Sequence, residues 1–308
     1  MNRSTAFTTS SVVGITALAG FFCVSQTHQA DAVGTPVSSS PASVQLTGVV
    51  RDFKESNKAG GHPDFETDSE QPDKGFGVYN GNISANLGAD QKPVFTGAGY
   101  LATSPYKDSS NRAICYTLYD PAQGDHAGVK GANSKGGIKN ETSFNSWFRD
   151  NPSYNMSKTL TITLNKAADG SYVFDDKLDP TYQNLSGFFP IEGQLYGNEA
   201  GSPNRNFHFT FELHTQFTYK AGQNQTFKFI GDDDVWVFIN NKLVIDLGGV
   251  HSAQEQFVSL DRLGLTHNKK YNLDFFYAER HRTQANCRIQ TNLVLQSTDT
   301  PSTTAAFD

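Results

Sequence analysis

No dense run of lysine or arginine occurs anywhere in the 308 residues, and the formal net charge is −6. Proteins that hold nucleic acid need a basic surplus to neutralise phosphates, so that class is excluded. Nucleophile elbows, phosphate-cradling glycine loops and HExxH helices are all missing, which leaves no sequence sign of the common hydrolases, NTPases or zinc proteases. Past residue 24 no apolar run reaches the ~20 residues needed to cross a bilayer as a helix. Methionine and tryptophan are scarce, at two residues each.

Phenylalanine and glycine are abundant instead, 23 and 27 residues respectively. That balance favours strands joined by turns over helix bundles. The segment before the first strand carries Arg3, an apolar stretch from Val12 to Val24 and the small-x-small pattern Ala30-Asp31-Ala32. Residues 1–32 are therefore read as a secretory signal peptide, which places the mature chain outside the cell, free or attached at the surface. Residues 33–45 read as a Ser/Pro-rich linker, 46–296 as the folded part and 297–308 as a disordered tail. With Cys23 in the signal segment, two cysteines remain, and in an oxidising compartment Cys115 and Cys287 are expected to form one disulfide. Sequons at Asn82, Asn140, Asn155, Asn184 and Asn224 would make a glycoprotein in a host that glycosylates.

Strand signals are dense after residue 155. TLTITLNK alternates, and Ala168-Asp169-Gly170 supplies a turn into SYVFDD. In NFHFTFELHTQFTY, Phe207, Phe209, Phe211 and Leu213 share one face, with His208, Thr210, Glu212 and His214 on the other; a half-buried strand is the direct reading. Asn240-Asn241 suits a hairpin turn between VWVFI and KLVID. FNSWFRDNP, from Phe144 to Pro152, predicts the one short helix, and residues 54–94 read as loop rather than as a separate domain. The expected fold is all-β, an antiparallel β-sandwich or Greek-key barrel with long loops.

The chemistry is concentrated in GDDDVWVFINNKLVIDLGGVH, from Gly231 to His251. Three adjacent aspartates either crowd around a hard cation or mark an ordinary acidic turn. Neighbouring side chains on an extended strand point apart, so two of these aspartates share an ion only if the backbone between them is kinked or cis. His251 reads as a turn cap. His208, Glu212 and His214 lie too far apart along a strand for one zinc ion.

GDDDVWVFINNKLVID resembles the central signature of protective-antigen-type (PA-fourteen) β-sandwich domains. More broadly, LTGVVRDF, HPDFE, FNSWFRD, FFPIEGQLYGNE, NFHFTFELHTQFTY, GDDDVWVFINNKLVIDLGGVH and FFYAERHRTQANCRIQTNL match the fibro-slime family, a branch of that group, in order from Leu46 to Leu295. The resemblance places the β-sandwich core at about 135–296. It implies that Asp232 and Asp233 hold a calcium ion across a cis peptide, and that the ion binds vicinal hydroxyls of a sugar. A second loop, here Glu279 to Asn286, would complete the shell, with Asn286 as a metal ligand and Glu279, Arg280 and His281 near the carbohydrate. Asp234 stands where many relatives have glycine, and AERHRTQANC departs from the second loop of the characterised lectins. The implied function is non-catalytic, calcium-dependent binding of cell-surface or matrix glycans in adhesion. A secreted signalling or structural module, and an accessory to a glycoside hydrolase, remain as alternatives.

Overall fold

The computed structural model of the chain describes residues 40–66 and 76–299. The expected signal peptide, residues 33–39 of the expected linker and residues 300–308 of the expected tail lie outside them. Sixteen strands follow in order: β1 (Ser43–Phe53), β2 (Tyr79–Asn80), β3 (Tyr100–Ser104), β4 (Tyr106–Lys107), β5 (Ala113–Ile114), β6 (Val129–Asn133), β7 (Asn155–Lys166), β8 (Tyr172–Asp175), β9 (Phe209–Thr218), β10 (Thr226–Gly231), β11 (Asp234–Ile239), β12 (Lys242–Leu247), β13 (Gln254–Ser259), β14 (Lys270–Glu279), β15 (Cys287–Thr291) and β16 (Gln296–Ser297). Strand β1 thus starts at Ser43, inside the expected linker, and β16 reaches the first residue of the expected tail.

One antiparallel sheet runs β12-β11-β14-β9-β1-β7-β8-β15-β10-β13, with β16 added beside β9. It folds on itself as a sandwich that is nearly closed, because its two end strands approach each other. The Gln256 side chain of β13 spans the seam: its Oε1 accepts from the Asp246 N–H at 2.9 Å and its Nε2 donates to the Asp246 carbonyl at 2.9 Å. One buried amide thereby satisfies both backbone groups of an edge residue that lacks a strand partner on that side.

Two apolar layers explain the unbroken hydrophobic runs. Val235, Val237 and Ile239 of β11 and Leu273, Phe275 and Tyr277 of β14 face the interior between the sandwich halves. Trp236, Phe238, Phe276 and Ala278 face the other way, into a second core with Phe53, Phe65, Phe144, Trp147 and Phe148. Each large side chain enclosed this way contributes roughly 1.5–3 kcal/mol. Both indoles are satisfied, Trp147 by Asp64 and Trp236 by Asp246, each at 3.0 Å. At the β11–β12 hairpin, Asn240 and Asn241 take φ of 51° and 64° and supply the expected turn.

The second core is roofed by the loop-rich part, and two sequence expectations change around it. The helix is α1 (Glu141–Asn145), earlier and shorter than read from Phe144. Asn140 caps it, accepting from the Ser143 N–H at 3.0 Å while the Ser143 hydroxyl accepts from the Asn140 N–H at 3.3 Å. Strand β9 is buried on both faces. Its polar row meets charged partners: Glu212 takes Arg51 of the neighbouring β1 at 2.8 Å, Lys92 of the roof at 2.5 Å and His214 of β9 itself at 3.4 Å, all buried.

The expected disulfide is absent. Cys115 and Cys287 are free, buried thiols in different cores, Cys115 in the layer under the roof and Cys287 between the sandwich halves. Burial pushes the Cys115 thiol up to about 12. Of the sequon asparagines, Asn82 and Asn155 are buried, whereas Asn140, Asn184 and Asn224 are exposed.

Candidate functional site

Strand β10 stops at Gly231 and β11 starts at Asp234, so Asp232 and Asp233 form the corner between two strands of opposite sandwich halves. The peptide bond between them is cis. Asp232 is locked to the loop after β14. Its Oδ1 accepts from the Asn286 N–H at 2.6 Å, its Oδ2 accepts from Asn286 Nδ2 at 2.7 Å, and its own N–H donates to the Asn286 carbonyl at 3.2 Å. Gly231 permits this approach, since a Cβ there would collide with the Asn286 carbonyl oxygen.

Asp233 accepts from the backbone N–H of His251 at 3.0 Å and of Arg280 at 3.2 Å. The buried Glu279 carboxyl acts on the same corner, and each of the two groups disfavours ionisation of the other. Burial, with the neighbouring charges of Asp234 and Asp232, raises Asp233 to about 8 against the pull of Arg280. Asp232 is raised by burial, and Glu279 is raised well above the carboxylate range by burial and then by Asp233 and Asp232. Three carboxyl groups thus share one corner without, among the described residues, a neutralising cation of their own.

The nearest cation is committed elsewhere. Arg280 donates from Nε to Asp234 Oδ2 at 2.5 Å and from Nη2 to Asp234 Oδ1 at 3.2 Å, and also from Nη2 to the Gly136 carbonyl at 2.9 Å. Its guanidinium lies over the Trp147 ring, 4.9 Å from the centroid. The side chain is 1% exposed and stands behind the site, between the sheet and its roof. Asp234 has a structural partner that a glycine could not supply, which accounts for the departure noted in the sequence. His251 contributes its backbone N–H and bonds its ring to the Ser252 carbonyl at 3.0 Å, as a turn cap does. Asp246 is a second structural carboxyl, holding Trp236 Nε1 at 3.0 Å and the Gly81 N–H at 2.8 Å.

In front of the corner is a cavity of about 480 Å³, within the usual range for small-molecule sites of roughly 300–1,000 Å³. Asp232, Asp233, His251, His281, Arg282 and Phe76 are among its lining residues. The roof fixes the loop from 280 to 284 that forms one wall. Glu66 lies 3.3 Å from His281 Nε2 and accepts from the Arg282 N–H at 3.1 Å, and Glu55 pairs with the Arg282 guanidinium. Glu55 and Phe76 carried no signal in the sequence, because they fall in the stretch without periodicity, whereas Glu66 closes HPDFE, the one local marker. His208 and His214 do not converge. The first sits between Glu66 and Glu199 at 3.1 and 2.9 Å, the second between Glu212 and Asp274 at 3.4 and 2.8 Å.

Among the described residues no three His, Cys, Asp or Glu side chains close a cation shell by themselves. The donors at the corner are nevertheless all hard: carboxylate oxygens, loop carbonyls and the Asn286 amide, with no thiol on the cavity wall. That chemistry fits calcium, which accepts carbonyl and water oxygens beside a few carboxylates. Among the described residues no helix is long and apolar enough to cross a membrane.

Residues 193–305 match the PA14 domain. The sheet extends beyond the match, since β1, β7 and β8 precede residue 193. The chain is similar to proteins of Dictyostelium discoideum: 35% identical over 245 residues to protein psiQ, covering 76% of this chain and 20% of that protein, and 33% identical over 268 residues to protein psiH, covering 84% and 32%. It spans less than two fifths of either relative. Among solved structures, a β-glucosidase from Kluyveromyces marxianus in complex with glucose aligns with a TM-score of 0.20 and 15% identity, covering 30% of this chain and 11% of that one.

Proposed function

We propose that this chain is a secreted, non-catalytic protein that binds carbohydrate through a calcium ion, in adhesion or in an extracellular matrix. The observation that carries the reading is the corner of Asp232, Asp233 and Glu279, three buried carboxyl groups gathered behind an open cavity that Asp232 and Asp233 line. PA14 domains are carbohydrate-binding-type modules, and the aspartates lie within the matched residues. Asp232 and Asp233 would hold the ion, with carbonyl groups of the 280–286 loop and Asn286, whose amide is already 2.7 Å from Asp232. A bound calcium ion supplies coordination positions for two adjacent hydroxyls of a sugar.

The test is a glycan-binding screen with and without a chelator, repeated on Asp232→Ala and Asp233→Ala. Binding is expected only to the wild-type chain with calcium; binding that persists in the chelated protein or in either variant rules the proposal out.

A further inference from the structure

Phe76 is 53% exposed, and it is the only phenylalanine, tyrosine or tryptophan among the described residues left so open. It is not a loosely hanging side chain. Its backbone forms a parallel bridge with Val250, the following Gly77 N–H donates to the Val250 carbonyl at 2.8 Å, and its own carbonyl accepts from the Tyr79 hydroxyl at 3.1 Å. The ring meets His281 edge to face, with centroids 5.1 Å apart and planes at 71°. His281 is in turn held by Glu66 at 3.3 Å. A ring held on both sides yet left uncovered presents apolar surface to whatever enters the cavity, and burying that surface would be favourable.

Two sides of this cavity therefore ask for different chemistry. The corner carboxyl groups suit a cation and the hydroxyl-rich edge of a ligand; the Phe76 ring suits a flat apolar face. A pyranose has both, because its axial C–H groups gather on one side of the ring. An open-chain polyol has the hydroxyls and lacks the face. Resting on the carbohydrate reading above, we infer that Phe76 is a specificity-determining stacking residue that selects cyclic sugars over acyclic polyols. Since Phe76 lies outside residues 193–305, selectivity is set by the loop-rich roof and not by the matched domain alone.

The experiment titrates methyl pyranosides of gluco, manno and galacto configuration, and acyclic glucitol, into the calcium-loaded full chain and into Phe76→Ala and Phe76→Trp. Wild type is expected to bind at least one pyranoside about tenfold more tightly than glucitol, which corresponds to about 1.4 kcal/mol. Phe76→Ala should erase that preference and Phe76→Trp should retain it. Calcium titration alone and thermal unfolding should be the same in all three chains, because the ring is exposed and donates nothing to the cation. An unchanged pyranoside preference in Phe76→Ala, or equal binding of glucitol by wild type, overturns the inference while leaving carbohydrate binding intact. Failure of wild type to bind any of the pyranosides, or the wider glycan screen, with calcium present would instead overturn the carbohydrate reading and this inference with it.

Discussion

Replacing Glu212 by Gln removes the only carboxylate among the described residues that contacts Lys92, and leaves that ammonium and the Arg51 guanidinium enclosed with less counter-charge. Lys92, Arg51 and Glu212 are all 0% exposed, at 2.5 and 2.8 Å from the shared carboxylate. Breaking a buried ion pair by removing one partner costs about 3–5 kcal/mol. The titration of the group points the same way. Burial alone would raise the Glu212 pKa, but the hydrogen bond from His214 and the charges of Arg51 and Lys92 outweigh it and hold the group at about 2. Set against its ordinary value of 4.5, that depression corresponds to on the order of 3 kcal/mol, present above pH 4.5 and lost as pH falls through 2. Urea unfolding of Glu212→Gln at pH 7 should show the full loss, and thermal unfolding a fall of roughly 6–20 °C. The double variant with Lys92→Met should recover at least ~1 kcal/mol, because it removes the stranded ammonium. A loss below ~1 kcal/mol in the single variant, or no recovery in the double, refutes the view that this cluster fastens the roof to the sheet.

Two further outcomes follow from the buried groups. Burial lifts Asp52 and Asp246 to about 7 and Asp176 to about 6, and the carboxylate partners of His208 and His214 raise those imidazoles against the opposing effect of burial. Folded pKa values above the unfolded ones give stability that is complete at low pH and lost as pH rises through the folded values, and these five groups outnumber His62, lowered to about 4, and His251, also lowered by burial, which act the other way. The chelated chain should therefore lose stability between pH 5 and pH 8, and a flat or rising urea midpoint over that range contradicts the assignment. For the thiols, a native sample treated with iodoacetamide should leave Cys115 and Cys287 unmodified and take up label at both only after unfolding, with a thermal midpoint indifferent to reductant; a midpoint lowered by reductant would restore the disulfide.

The β-strands were legible where one face met the sandwich interior, as with Phe209, Phe211 and Leu213, and the Asn240-Asn241 hairpin was legible because φ above zero selects few residues. Burial of the opposite face of β9 was not. Alternation separates polar from apolar positions, but it does not say whether His208, Glu212 and His214 face water or ions delivered from Arg51, Lys92 and Glu66, which lie more than a hundred residues away in sequence. The cysteine expectation failed for a related reason, since counting thiols carries no information about which side of a sheet each one enters. At the site, Asp232 and Asp233 stood out as a motif, whereas Arg280 behind Asp234 and Phe76 on the rim depend on how the roof is laid over the sheet. The short helix was misplaced because its start is set by the Asn140–Ser143 cap and its aromatic residues, Trp147 and Phe148, sit in the turn that follows.

The measurement closest to the central claim is a calorimetric titration of calcium into the chelator-stripped full chain and into Asp233→Asn. Wild type should bind one ion per chain, and Asp233→Asn should lose that binding while unfolding at the same temperature as stripped wild type or higher, since a buried carboxyl raised to about 8 contributes no stabilising charge at neutral pH. Unchanged stoichiometry and heat in Asp233→Asn, or no heat in wild type, would contradict the account.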